Sequence, residues 1–172
     1  LELEEDDSLG VVARVEDSSA ELGFVELPVS NDLFEIEKVW EEPVLGVLPQ
    51  DHPLAAKQGI ALSELASGAF VVQRGAPRQQ TLEACRRAGF EPKVALDGGS
   101  MQSALEFVAA GLGVALVPEL ALTNTANIRR VVIEDQTLHR SLSLVWRTGH
   151  YLSPAARALR DFVLQKNPAA AG

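Results

Sequence analysis

The chain has 172 residues, 47% hydrophobic and 23% charged, an ordinary globular composition with room for one or two modest cores. Its 15 basic and 24 acidic residues give a net charge of −9, unevenly placed: residues 1–42 hold 14 acids and 2 bases, residues 43–172 hold 10 acids and 13 bases. No apolar run approaches the roughly 18 residues of a membrane span, and the acidic start reverses the pattern of a secretory signal. The single cysteine rules out an internal disulfide and a CxxC metal site, which together with those absences favours the cytoplasm. A chain without a dense basic patch is also a poor nucleic-acid binder by itself, so contact with DNA would fall to another segment.

In chain order, Leu1-Glu2-Leu3-Glu4 alternates with period two and reads as a strand. Ser8 is placed to cap a helix whose Val11, Val12 and Val15 share one face. Leu22–Leu27 forms a second strand, stopped by Pro28. Phe34–Trp40 leads into the apolar run Val44–Leu48, ended by Pro49, and Asp51-His52-Pro53-Leu54 reads as a turn. Ser63-Glu64-Leu65 starts a short helix before the strand Ala69–Val72, and a loop over Gln73–Pro77 opens a helix from about Arg78 to Ala88. Gly89 stands where a left-handed cap belongs, with Pro92 barring continuation.

Lys93–Leu96 is the next strand, and Gly98-Gly99-Ser100 turns into a helix that carries Met101, Leu105 and Val108 on one side. That helix stops at Gly111, and the strand Gly113–Val117 follows, closed by Pro118. Val131–Glu134 and Leu142–Trp146 are late strands. Ser153-Pro154 combines an N-cap with proline at the first helical position, and the closing helix points Leu159, Phe162 and Val163 inward. An Ala/Gly tail after Pro168 is expected to fray. Alternation of apolar strands with helices predicts βαβ units and mostly parallel sheets.

Cys85 is the evident nucleophile candidate, with His52, His139 and His150 as its candidate bases, but none lies near it in sequence. A packing role fits better: with Gly89 as the C′ residue, Cys85 and Phe90 take the positions that make the apolar contact of this cap. His52 sits in a turn, and His139 and His150 read as exposed loop residues. No HExxH, GxSxG, P-loop or GxGxxG pattern occurs, and no metal-ligand set or cofactor motif is present. The polar strand ends are more informative. Asp7-Ser8, Glu26-Leu27, Gln73-Arg74 and Gly99-Ser100 fall where open α/β sheets collect ligands. Two of them open helices, whose N-terminal N–H groups suit a carboxylate or other small anion, and Arg74 or Arg78 would add a bidentate partner. The bland alternative is that Ser8 and Ser100 only cap helices while Arg74 is a solvated loop charge.

Several blocks then stand together: LELEEDDS, ELGFVELPV, EEPVLGVLPQDHPLA, LSELASGAFVV, LEACRRAGFEPKVAL, SALEFVAAGLGVALVPELAL and LSLVWRTGHYLSPAARALRDFV. In order and spacing they resemble the effector-binding domain of LysR-type transcriptional regulators, over roughly residues 1–166. The resemblance implies a two-lobed α/β fold like the type 2 periplasmic binding proteins, with a small effector in the cleft. Lobe I would be residues 1–43 plus 147–172, and lobe II residues 44–146. It also implies a homodimer or homotetramer, and DNA contact through an N-terminal helix-turn-helix outside this chain. The family's first strand and first helix of lobe I are likewise expected to lie outside it.

Position by position, Ser8 matches the small hydroxyl after the second strand and Glu26 a lobe I cleft position. Gln73, Arg74 and Arg78 match the loop after the lobe II strand, and Ser100 with Met101 the start of the next helix. One branch of the family senses peroxide through two cysteines; Cys85 resembles the second, and the first would fall near Ala76, so no disulfide switch is expected. The leading reading is a non-enzymatic, effector-sensing regulatory module. The alternatives are a solute-binding protein of a transporter on the same fold, and an enzyme using Cys85.

Overall fold

The computed structural model describes residues 2–26, 32–123 and 126–166. Its contacts divide the chain into two compact units, residues 1–41 with 140–172, and residues 42–139. The long strand β2 (Phe34–Pro49) and the strand β8 (His139–Arg147) each run through a boundary between them. Residues 140–146, expected with lobe II, pack with the first unit because Leu142–Val145 of β8 pair antiparallel with β1 (Gly23–Glu26). The two runs read separately before and after Glu42 form the single strand β2.

The second unit is built on β3 (Gly59–Ile60), β4 (Ala69–Gln73), β5 (Lys93–Gly98), β6 (Ala115–Pro118) and β7 (Ile128–Ile133). β4 pairs parallel with β5 on one side and bridges in parallel to Val114 on the other. β2 runs antiparallel to both β6 and β7, while β3 is parallel to β7. The sheets are thus mixed: the strands linked through helices are parallel, and the long strand β2 lies against them in the opposite sense. Helix α2 (Ala76–Arg87) packs with a cluster containing Leu48, Phe70, Val72, Ala84 and Cys85. Helix α3 (Met101–Ala109) packs with one containing Val47, Val71, Leu105, Val108 and Val117. Neighbouring residues Val47 and Leu48, or Val71 and Val72, therefore serve opposite faces. Covering both faces is why these strands read as unbroken apolar runs.

Two glycines end the helices as the spacing predicts. Gly89 has φ +88°; its N–H donates to the Arg86 carbonyl and the Phe90 N–H to the Cys85 carbonyl, each at 3.0 Å. Gly111 has φ +79°, with Gly111 donating to Val108 and Leu112 to Phe107. Both are Schellman caps, in which the left-handed residue carries no Cβ penalty.

In the first unit the strand order is β1-β8-β2. Helix α1 (Ser8–Glu16) lays Val15, with Val11 and Val12 beside it, on Val25, Phe34 and Val145. Helix α4 (Pro154–Lys166) opens as expected, with the Ser153 hydroxyl accepting from the Ala156 N–H at 3.2 Å. Three local expectations change. Residues 2–7 join no sheet and Leu3 is 81% exposed, because alternation makes a strand only where a neighbour completes the ladder. The cap of α1 is Asp7, whose carboxylate accepts from the Gly10 N–H at 2.8 Å, and Ser8 is the first helical residue. Phe162 is 57% exposed; Ala156 is buried and Leu159 and Val163 are half-buried, and the stripe they form passes it by. Leu27, Pro28 and the tail from residue 167 lie outside the described residues.

Candidate functional site

Parallel pairing of β4 and β5 sets Gln73 opposite Gly98, so the carboxyl ends of both strands stop side by side. Each then turns into a helix. Gly75, at φ +80°, carries the chain into α2, which has Pro77 in its first turn and no side-chain cap. Ser100 caps α3, its hydroxyl accepting from the Ser103 N–H at 3.2 Å and lying 3.0 Å from the Ser103 hydroxyl. Two helix N-termini therefore open from adjacent strand ends, each presenting N–H groups and the positive end of a dipole.

Two of the side chains expected here, Arg74 and Arg78, come together around a residue missed in the sequence, Asp97. The Arg78 guanidinium donates through Nε to Asp97 Oδ2 at 3.1 Å, and Arg74 Nε lies 3.8 Å from Asp97 Oδ1. One carboxylate holds two guanidinium groups, leaving a net positive charge with N–H edges to spare. All three are substantially exposed, so the pairs themselves add little stability. Arg74 also donates its backbone N–H to the Gly98 carbonyl at 3.3 Å, tying the two loops together. Met101 turns its side chain onto the α3 core cluster, so what it offers outward is backbone. Asp97 could have been found by aligning the ends of the two parallel strands, since it stands opposite Val72.

In the first unit, Ser8 and Glu26 also meet. The Ser8 hydroxyl accepts from the Glu26 N–H at 3.1 Å, which leaves its own proton to donate. Arg140 donates through Nε to Glu26 Oε1 at 2.6 Å, with Nη2 at 2.5 Å from the same oxygen. Arg140 is the second residue that sequence reasoning passed over, because its partner lies 114 positions away.

The nucleophile candidate does not assemble. Cys85 is fully buried in the α2 core cluster, and burial, helped by the Glu91 carboxylate, pushes its thiol up to about 11. His52 is used by its turn, its Nδ1 accepting from the Leu54 N–H at 3.2 Å. His150 is exposed beyond β8, and His139, expected in a loop, is an exposed residue at the start of that strand. Among the described residues no cluster of three or more His, Cys, Asp or Glu is placed to hold a metal ion. None of their helices is long and apolar enough to cross a membrane.

Residues 1–168 match the family model described as the LysR substrate binding domain. Among similar proteins, the RuBisCO operon transcriptional regulator of Allochromatium vinosum is 30% identical over 161 residues, 91% of this chain and 53% of that protein. The uncharacterized HTH-type transcriptional regulator YwbI of Bacillus subtilis is 30% identical over 162 residues, 92% of this chain and 54% of that protein. The chain thus spans about half the length of these relatives. Among solved structures, the effector-binding domain of QuiR in complex with shikimate superposes with a TM-score of 0.86 at 17% identity, covering 95% of this chain and 79% of that one. The effector-binding domain of BenM with its effector benzoate gives 0.83 at 20% identity, covering 98% and 78%. At such identities the two structures share the fold.

Proposed function

The chain belongs to the LysR substrate-binding domain family, and on that premise we propose that it senses a small carboxylate at the carboxyl ends of β4 and β5. The observation that carries this reading is the Arg74–Asp97–Arg78 arrangement beside the first turns of α2 and α3. A carboxylate there meets charge-assisted donors from Arg74 and Arg78, the hydroxyl of Ser100, and N–H groups at the start of two helices. Gln73 supplies a further amide at the same edge, and Met101 the backbone N–H of the first turn of α3. In the first unit, Ser8 and Glu26 take a ligand-facing role, with Arg140 fixing the Glu26 carboxylate.

Binding is regulatory in this reading: an effector that prefers one state of the domain shifts the population toward it, by no more than its difference in affinity for the two. The readout passes through a homodimer or homotetramer to DNA, contacted by a helix-turn-helix segment of the whole protein, in the cytoplasm. The family assignment favours this over a transporter's solute-binding protein. The buried, protonated Cys85 gives no support to an enzyme.

Thermal-shift titration with small carboxylates and their neutral amides tests the site. A carboxylate present at about 100 times its dissociation constant adds about 2.7 kcal/mol to folding stability. Its effect should vanish in Arg78→Ala and shrink in Ser100→Ala, while the amide stays silent. Hits that survive both substitutions, or amides that work equally well, would defeat the proposal.

A further inference from the structure

A groove of about 330 Å³ opens in the first unit, and none of the residues proposed above to bind the effector lines it. Trp146 and Tyr151 line it, together with Arg157, Arg160, His150 and Glu35. The chain reaches it by a tight turn: Gly149, at φ +70°, carries β8 into the approach to α4. One turn of α4 then stacks its cations on the rings. The Arg157 guanidinium lies 5.6 Å from the Tyr151 ring centre, and that of Arg160 lies 5.5 Å from Trp146.

The two arginines differ in what else they hold. Arg160 is bound to the Asp161 carboxylate, at 2.9 Å through Nε and 2.8 Å through Nη2. Arg157 has no acidic partner among the described residues. Stacking on an aromatic face fixes a guanidinium plane and leaves its N–H edge open to a planar anion. Tyr151 is 74% exposed, so its ring is accessible to a ligand as well as to Arg157.

From this we infer that the groove is a second ligand site, which takes a monocarboxylate with a single planar, unsaturated ring. The carboxylate pairs with Arg157, and the ring lies against Trp146 and Tyr151. Glu35, which also lines the groove, repels a second negative charge, which disfavours dicarboxylates. The volume stands at the small end of ligand pockets, which fits one ring rather than two. The inference is independent of the carboxylate site on β4 and β5, since it uses other residues.

The test is an amide-resolved NMR titration of the whole chain with benzoate, using benzamide and acetate as controls. Benzoate should give saturable shifts at Gly149–Leu152 and at the Trp146 indole. Arg157→Gln, an exposed helix position, should weaken that binding by at least ~10-fold, as expected for one charge-assisted hydrogen bond. Arg78→Ala should leave these shifts intact, and benzamide and acetate should each bind at least ~10-fold more weakly than benzoate. Equal binding of benzamide removes the anion from the argument, and equal binding of acetate removes the ring. Either overturns the proposal, as does an Arg157→Gln variant that binds like the parent. Shifts confined to residues 73–103 would overturn it while leaving the site on β4 and β5 standing.

Discussion

The state of Cys85 separates a packing residue from a reactive one, and its chemistry can be worked through in numbers. The thiol is fully buried, and its pKa is raised from 9.0 to about 11. At pH 8 a thiol titrating at 9.0 is about one-tenth thiolate, and one titrating at about 11 is about one-thousandth. Reaction with a disulfide reagent in the folded state is therefore slowed by ~100-fold from ionisation alone, before access is counted. If the reagent instead needs local opening of α2, the opened thiol regains its ordinary pKa, but the rate is scaled down by the opening equilibrium.

The same shift has a consequence for stability. Between about pH 9 and 11 the unfolded chain has lost a proton that the folded chain keeps, so stability falls as pH rises. The slope is about 1.4 kcal/mol per pH unit, or about 3 kcal/mol across the window, and nothing is lost below it. Other bases titrate here too, so the assay is the difference between the parent and Cys85→Ala in chemical denaturation from pH 8 to 11. Colorimetric thiol titration at pH 8, native against denatured, supplies the rate. A native rate within ~10-fold of the denatured one, or parallel alkaline profiles for parent and variant, would refute the assignment of Cys85 to the core.

Two glycines with opposite surroundings make a paired test. A Cβ at Gly113 would lie 2.6 Å from the Ala69 backbone oxygen, where β4 meets the residues leading into β6, so Gly113→Ala should cost about 1–3 kcal/mol in denaturation. Gly99 has nothing within 4 Å of such a Cβ, and Gly99→Ala should stay within ~0.5 kcal/mol of the parent. Phe70 is fully buried and touches the Phe90 ring at 6.0 Å between centres; Phe70→Ala should cost about 3–5 kcal/mol, read from the same curves. Glu21 accepts from the Ser153 N–H and hydroxyl at the start of α4, which holds its carboxyl below the usual 4.5. Its contribution is present above that value and is lost as pH falls through the lowered pKa, so Glu21→Gln should flatten the acid limb of thermal stability measured by circular dichroism.

Much of the fold was legible because its signals are local. Glycine at C′, serine followed by proline at a helix start, and apolar runs bounded by proline act through backbone geometry over a handful of residues. Gly89, Gly111 and Ser153-Pro154 therefore fell where they were expected, and Cys85 took its place in the cap that Gly89 makes. Ser8 shows where that resolution ends. Asp7 and Ser8 are both good caps, and the choice between them follows from the Glu26 N–H engaging the Ser8 hydroxyl 18 residues away.

The sequence by itself determined the family, the apolar strands and helices in order, and the polar strand ends as the places to look. Only tertiary structure decided that Asp97 gathers Arg74 and Arg78, that Arg140 holds Glu26, and that Leu3 finds no ladder. It alone stacked Arg157 and Arg160 on Tyr151 and Trp146. The reason is distance along the chain. Helix caps read a few neighbouring residues, whereas ion pairs and strand partners depend on which distant segments are brought to one edge, and no local periodicity encodes that.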